Sequence, residues 1–286
     1  TAYIDDTRMT ILKQMRTNSK RTGTFTTGVI STREAIQIAL FFTGESHAGQ
    51  NMKEILKQRS PDLPALIQMS DALSRNFSEL DADEVIECCC LCHGRRNFVE
   101  IVRSFPEECR FVLESIGKIY AVDKQAREAG LDPPQRLVLH QELSKPVMDD
   151  LRAWMTEQFE HKKVEPNSIL GKAIKYLQNH WDKLTVFLRV AGAPLDNNMV
   201  ERALKKVVLH RKNSLFYRTA AGAAVGDLFM SIIQTCQLNK VDPFDYLTQI
   251  LRNASKVAAN PSHWLPWNYK LALANSTSAG EAAPAA

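Results

Sequence analysis

The feature that most constrains the fold is one change in hydrophobic periodicity near Phe98. Before it, apolar residues alternate or run together in short stretches bounded by glycine and polar residues, which is typical of β-strands. After it, apolar residues recur every three to four positions, which is typical of helices that bury one face. Strands first and helices later predict an α/β fold.

The first 98 residues contain five predicted strands and one predicted helix. The strand candidates are "TAYIDD", "TFTTGVIST", "IQIALFFTG", "PALIQMSD" and "EVIECCCLC", and the helix "SHAGQNMKEILKQR" lies between the third and the fourth. The small, polar C-terminal stretch "ANSTSAGEAAPAA" is predicted to be disordered.

Composition restricts the class of protein. The 286 residues suffice for one large domain or two smaller ones, and the net charge of +4 permits a nucleic-acid partner without requiring one. No apolar run is long enough to cross a membrane. Four of the six cysteines lie within residues 88–92, which does not suit a disulfide framework, so we expect a reducing cytoplasm. Because the chain opens with Thr1 in apolar sequence, we also expect an upstream region to be missing.

Three acids stand where an α/β fold collects functional groups. Asp5 or Asp6 ends the first predicted strand and Asp71 ends the fourth, and sites in such sheets lie at the carboxyl ends of strands. Glu201 lies one turn into a helix that begins near "LDNN". If these carboxylates share one crevice they repel each other and need cations. Magnesium prefers such oxygen ligands, and two ions can promote displacement at phosphorus. Asp62, Asp81 and Asp83 fit the second position less well, because none of them ends an apolar run.

The Glu201 helix sorts its charges along its length. Its later turns carry Lys205, Lys206, Arg211 and Lys212. Such a run is often a solvated face, but it can also contact the phosphates of DNA. Asn197 and Asn198 could contact DNA or brace the acid one turn on.

Several motifs resemble one known family in the family's own order. "PLDNNMVERALKKVVLHRKNSLFYRTAAGA" resembles Asp-Asn-Asn-x-x-Glu followed by Arg-Lys-Asn-x-Leu-Phe, and "CLCHGRRNF" is similar to Cys-x-x-His-x-Arg-Arg-x-Phe. "YIDDT" and "LPWNY" are similar to the opening and closing signatures of the same family, the insertion-sequence-sixty-six transposases. The sequence departs from the family's pattern after Asp71, where no tyrosine follows, and at His210 and Ser214.

The resemblance implies a ribonuclease H-like core with an all-helical insertion and a helical C-terminal part. The expected boundaries are 1–98 for the first part of the core, 99–194 for the insertion, 195–256 for the core helices, and 257–286 for a C-terminal extension whose end is disordered. The implied activity is metal-dependent DNA strand cleavage and transfer at transposon ends. Asp5, Asp71 and Glu201 match its three acids and would hold two Mg²⁺ or Mn²⁺ ions. The implied partners are DNA and further copies of the chain on DNA, and the expected DNA-contacting residues are Arg95, Arg96, Lys205, Arg211, Lys212 and Asn213.

Three alternatives stay open at this point. The chain could be a DNA-binding remnant without chemistry, or a structure-specific nuclease of the same fold that cleaves without joining. Cys90 and His93 could belong to a zinc site, although strand alternation would send neighbouring cysteines to opposite faces.

Overall fold

The chain forms a mixed α/β structure. The structure, a computed structural model, describes residues 1–13, 23–77 and 84–281, with side chains described as far as residue 275. Its strands are β1 (Ala2–Met9), β2 (Ile11–Lys13), β3 (Thr24–Arg33), β4 (Ile36–Gly44), β5 (Leu66–Ser70), β6 (Val85–Cys89) and β7 (Tyr217–Thr219). Its helices are α1 (Ala48–Leu56), α2 (Leu91–Ile101), α3 (Pro106–Glu128), α4 (Pro133–Leu139), α5 (Lys145–Glu160), α6 (Ile169–Asn179), α7 (Trp181–Leu184), α8 (Asn198–Ser214), α9 (Ala220–Leu238), α10 (Pro243–Arg252), α11 (Ala254–Ala259) and α12 (Tyr269–Glu281). Single turns of 3₁₀- or π-helix occur at Ser74–Asn76, His140–Ser144, Val186–Leu188 and Pro261–Trp264.

Five strands form one mixed sheet in the order β4–β3–β1–β5–β6. β3 and β4 are an antiparallel hairpin, whereas β5 runs parallel to both β1 and β6. The α/β class and the five predicted strands are therefore confirmed. β2 and β7 pair separately and in parallel, and the sequence did not predict them because three residues are too few to establish an alternation.

The chain divides into two compact units. The first contains Thr1–Asp5 and Ala48–Glu201, and the second contains Asp6–His47 and Arg202–Ala286. The division falls inside β1 and inside α8, so each of these elements contributes residues to both units.

The first unit buries the apolar stripes of its helices in one core. Ile116 of α3, Met155 of α5 and Ile174 of α6 are fully buried there, as their helical spacing predicts. Between Leu91 and Leu195, where every residue is described, the chain forms helices and turns without a strand. The predicted helical character of this stretch is confirmed, and the predicted domain boundaries stay predictions.

In the second unit, side chains of α9 bond the edge strand β4. The N–H groups of Gln37, Ala39, Phe41 and Thr43 donate to Asn239, Thr235, Ser231 and Asp227 respectively. The spacing works because four helical residues advance about 6 Å and two strand residues about 6.6 Å. These bonds protect an edge that would otherwise expose unpaired N–H groups.

Two boundaries differ from the sequence-based expectation. β6 ends at Cys89 and α2 begins at Leu91, so the helical part starts before Phe98. Four of the five residues from Cys88 to Cys92 are cysteines, which hide the change of period because they suit either element. At the other end α12 continues to Glu281 across residues predicted to be disordered, and its alanines favour a helix. Residues 282–286 lie outside the described part. None of the helices described combines the length and the apolar character that a bilayer-crossing segment needs.

Candidate active site

The two aspartates that end the first motif have different surroundings. The side chain of Asp6 is 1% exposed, and its Oδ2 lies 2.9 Å from Nδ1 of His47. Successive side chains of a strand point to opposite faces, so Asp5 faces away from this pair. Asp6 is therefore committed to His47, and Asp5 stays the predicted first acid.

Asp5 and Asp71 occupy equivalent positions on neighbouring parallel strands. In the β1–β5 ladder Ala2 pairs with Gln68 and Tyr3 pairs with Met69, an offset of 66 residues. The same offset relates Asp5 to Asp71, which directly follows β5. The prediction that the first strand ends at the acids is wrong, because β1 continues to Met9 and contains Asp5. Neighbouring strands lie about 4.8 Å apart, so the register, continued by two residues, places Asp5 beside Asp71 where β5 ends.

The carboxylate of Asp71 is held on one side. Its Oδ1 accepts hydrogen bonds from the Leu73 N–H at 3.1 Å and from the side-chain amide of buried Asn76. Gln68 in turn donates to the Asn76 carbonyl at 2.9 Å. Among the described residues no donor reaches Oδ2 of Asp71, so one oxygen fixes the orientation and the other is available. Asp81 and Asp83, the weaker candidates for this position, lie outside the described residues.

Asn197 connects the start of α8 to the first half of β1 and to the residue that follows β6. Its side-chain amide donates to the Ile4 carbonyl at 2.9 Å, and its backbone N–H donates to Cys90 Sγ at 3.3 Å. Its own carbonyl accepts the Glu201 N–H at 3.2 Å. Ile4 precedes Asp5, and Cys90 follows β6, so Glu201 is fixed one turn from the same edge. Of its two open roles, Asn197 has the contacts of a brace.

Glu201 has one carboxylate oxygen without a hydrogen bond. Its Oε1 lies 3.8 Å from Nδ1 of His93, which is too far for a hydrogen bond. Both atoms are buried, and neither has a hydrogen-bond partner in the described part of the chain. Because an unpaired buried carboxylate oxygen is costly, this pair indicates a place for a further group.

The side chains near Glu201 offer possible ligands for two kinds of metal ion. Asp5, Asp71 and Glu201 offer carboxylate oxygens, which suit Mg²⁺ or Mn²⁺. Cys90, His93 and Glu201 form a second possible set, because one ligand atom from each lies within 4.8 Å of the other two. Burial raises the pKa of the Cys90 thiol to about 12, which disfavours the thiolate that zinc binds. Structural zinc sites have four ligands, and Cys88 and Cys89 do not join this group.

The predicted DNA-contacting residues differ in their exposure and in their hydrogen bonds within the chain. Arg95 and Arg96 are exposed on α2, and Lys205, Lys212 and Asn213 are exposed on α8. Arg211 donates to Thr7 Oγ1 at 3.4 Å and to the Arg8 carbonyl. Part of its guanidinium therefore anchors α8 to β1 within the second unit.

A cleft adjoins Asp71 and was not anticipated from the sequence. It encloses about 380 Å³. It is lined by Asp71, His93, Arg96, Asn97, Tyr176 and His180, among others. Tyr176 and His180 lie four residues apart on or next to α6, beside its apolar stripe, and that spacing was the only available signal.

Comparison with known proteins agrees with the motifs. Residues 1–225 match the family described as "Transposase IS66 family". Two relatives from Sinorhizobium fredii (strain NBRC 101917 / NGR234) are similar to this chain. "Uncharacterized protein y4jD" is 30% identical over 202 residues, which cover 69% of this chain and 39% of the relative. "Uncharacterized protein y4hP" is 31% identical over 199 residues, which cover 65% of this chain and 35% of the relative. The chain thus spans less than two fifths of the length of these curated relatives. With four fifths of its residues inside the family match, the chain belongs to the IS66 transposase family.

Proposed function

We propose that this chain is the catalytic core of a DNA transposase that cleaves and joins strands at transposon ends. Its three acids are Asp5, Asp71 and Glu201. The observation that carries the proposal is the meeting of elements at one sheet edge. Asp5 and Asp71 share the β1–β5 register, and Asn197 ties the Glu201 turn to the residue before Asp5.

A ribonuclease H-like core is the finer fold that we propose. The support is the sheet itself, in which an antiparallel hairpin flanks one side of β1 and two parallel strands flank the other. In such a fold the acids at the ends of the central strands meet an acid on a following helix. Glu201 in the first turn of α8 fits this description.

The three carboxylates are the residues that would hold two Mg²⁺ or Mn²⁺ ions. The unpaired buried oxygen of Glu201 and the free oxygen of Asp71 support this assignment. Bound ions would stabilise charge on the attacking and leaving oxygens of phosphoryl transfer.

The chain's other residues orient these acids and the DNA. Asn76 holds the carboxylate of Asp71 in one rotamer, and Asn197 fixes the backbone of the Glu201 turn. The uncompensated acids repel a phosphate backbone, so cations are needed around them. Lysine, arginine and asparagine side chains that contact phosphates position DNA without reading its sequence; the candidates are Arg95, Arg96, Lys205, Arg211, Lys212 and Asn213.

Two further properties belong to the same proposal. We infer that the chain acts as a homo-oligomer on DNA, since joining two transposon ends requires two active sites. We also infer a cytoplasmic location, which agrees with six cysteines that are all free thiols.

Nicking of supercoiled plasmid in Mg²⁺ or Mn²⁺ tests the proposal. Glu201→Gln should abolish nicking and leave folding intact. Glu100→Gln, the same change at an exposed position of α2, is the matched control. A Glu201→Gln protein that nicks at the normal rate would remove Glu201 from the site.

Strand transfer separates the remaining alternatives. A duplex with a free 3′-hydroxyl end should be joined to plasmid by the wild-type chain. Cleavage without joining would indicate a nuclease of the same fold. Binding of DNA without cleavage under any metal condition would indicate a remnant without chemistry.

A further inference from the structure

The cleft beside Asp71 has two walls of different chemistry. It encloses about 380 Å³, within the range of pockets that hold small ligands. One wall is the face of α2 that presents His93, Arg96 and Asn97. The other is the end of α6, with Tyr176 and His180. All of these residues belong to the first unit.

The α6 wall is aromatic and uncharged. The rings of Tyr176 and His180 lie 4.9 Å apart at 64°. Burial raises the pKa of Tyr176, and the nearby carboxylate of Asp71 acts in the same direction. Burial and the charge of Lys183 lower the pKa of His180. Both rings are therefore neutral at neutral pH and can contact a flat ligand without an opposing charge.

The α2 wall carries polar groups that the fold does not use. The side chains of Arg96 and Asn97 line the cleft and form no ion pair or hydrogen bond with any described residue. Polar groups that converge on an aromatic-lined cleft without internal partners are the pattern of a ligand site.

We propose that this cleft binds one unstacked nucleotide of the DNA strand next to the reacting phosphate. Its base lies against Tyr176 and His180, its phosphate is bound by Arg96, and Asn97 is available to the base edge. The proposal rests on the proposed function, because Asp71 at the cleft's rim is what brings a reacting phosphate there.

The size and position of the cleft favour one nucleotide over a duplex segment. A volume of about 380 Å³ accommodates one base, and the aromatic wall can contact the face of a base only after that base has left the stack. Enzymes that need such access supply aromatic side chains for the extruded base. The guanidinium of Arg96 is suited to a phosphate because its fork matches two oxygens.

An abasic scan tests the cleft in the wild-type chain. The probe is a labelled duplex with a single-stranded 3′ tail, in which one nucleotide at a time is replaced by an abasic residue. Removing the base that occupies the cleft should weaken binding roughly 5- to 150-fold, the range for one stacked base. Removing its neighbours should have little effect. Free dAMP at matched concentration distinguishes a strand nucleotide from a free one and should not compete.

Variants assign the effect to the two walls. Tyr176→Leu should abolish the difference between abasic and intact DNA, and Tyr176→Phe should retain it because the ring remains. Arg96→Ala should lower the salt slope of binding by about 0.7, one phosphate of a single strand. Arg103→Ala, an exposed arginine outside the cleft, should leave the base preference unchanged.

The outcomes separate this inference from the proposed function. If no abasic position weakens binding, the cleft does not hold a base and the inference is wrong, even when Asp71→Asn abolishes nicking. If one position weakens binding but no metal condition gives nicking, the cleft binds a nucleotide and the proposed catalysis is wrong. Competition by free dAMP would overturn the assignment to a nucleotide within a strand.

Discussion

Replacing Asn197 tests whether a buried amide holds the catalytic turn in place. Asn197 is 0% exposed, and its amide satisfies the carbonyl of Ile4, which is also 0% exposed. Asn197→Ala removes one hydrogen bond, worth about 1 kcal/mol, and leaves that carbonyl unpaired at a cost of about 1–3 kcal/mol. The change also removes the amide oxygen Oδ1, which is buried without a partner in the described structure, so part of the cost is recovered. We expect a loss of about 2 kcal/mol.

The assay is thermal and urea unfolding beside the nicking rate. A loss of about 2 kcal/mol corresponds to a Tm lower by about 3 °C in a chain of this size. Nicking, measured well below that temperature, should fall by tenfold or more, because displacing a catalytic group by about 1 Å costs on the order of 100-fold. Asn198→Ala is the matched control, since Asn198 is half-buried and its side chain bonds no described residue.

A second substitution at the same position adds a pH dependence. Asn197→Asp replaces the donor with a carboxylate that faces the Ile4 carbonyl and lies near Glu201. Burial disfavours the charged form and raises its pKa. The variant should therefore be least stable at neutral pH and recover as the pH falls, because the protonated acid can donate to the carbonyl. If the Asn197→Ala and Asn198→Ala proteins have the same Tm, the hydrogen bond from Asn197 to Ile4 does not stabilise the fold. If Asn197→Ala lowers Tm but nicking is normal, that hydrogen bond does not position Glu201.

Three further predictions follow from single contacts. Burial opposes ionisation of Asp123, but the hydrogen bond from His140 and the charges of Arg136 and Arg127 outweigh it and lower its pKa. Its contribution to stability should therefore be complete above the unfolded pKa of about 4 and be lost as the pH falls through the lower folded value. Asp123→Asn should accordingly destabilise the chain more at pH 7 than at acid pH; an equal loss at both would contradict the charge argument. Lys212→Ala should reduce the salt slope of duplex binding by about 0.9, whereas Arg211→Ala should also lower Tm because of its bonds to β1; equal Tm values would show that those bonds are not stabilising. Mn²⁺ should raise the Tm of the wild-type chain and not that of Glu201→Gln, and an equal shift in both would place the ion elsewhere.

The periodicity of the sequence predicted the main elements because each is stabilised by local burial. The five strands of the sheet carry alternating or continuous apolar residues, and all were predicted in order. The boundary at Leu91 was missed because its N-cap residue, Cys90, makes no side-chain capping bond and so leaves no cap signal in the sequence. The predicted strand accordingly ran to Cys92, whereas Leu91 and Cys92 already belong to α2, which also carries His93, Arg95 and Arg96.

The sequence could indicate the candidate acids but not the side chains that hold them in place. A strand end and a helix start are visible in a sequence, so Asp71 and Glu201 could be proposed from them, and Asp5 from a strand that in fact continues to Met9; all three stay predictions. The choice between Asp5 and Asp6 needed the position of His47, which lies 41 residues away along the chain. The brace from Asn197 to Ile4 spans 193 residues. Contacts of that separation depend on the register of the sheet, which no local pattern contains.

The register also explains why one helix carries both an acid and a row of cations. Just before the helix starts, Asn197 bonds Ile4 of β1, and almost four turns later Arg211 bonds Thr7 and Arg8 of the same strand. Each attachment holds its own part of the helix to the strand. Glu201 is then directed toward His93 and the sheet edge, while Lys205 and Lys212 are left exposed. Arg211 is thus the exception in the basic run, and its removal should loosen α8 from β1 within the second unit as well as weaken any contact with DNA.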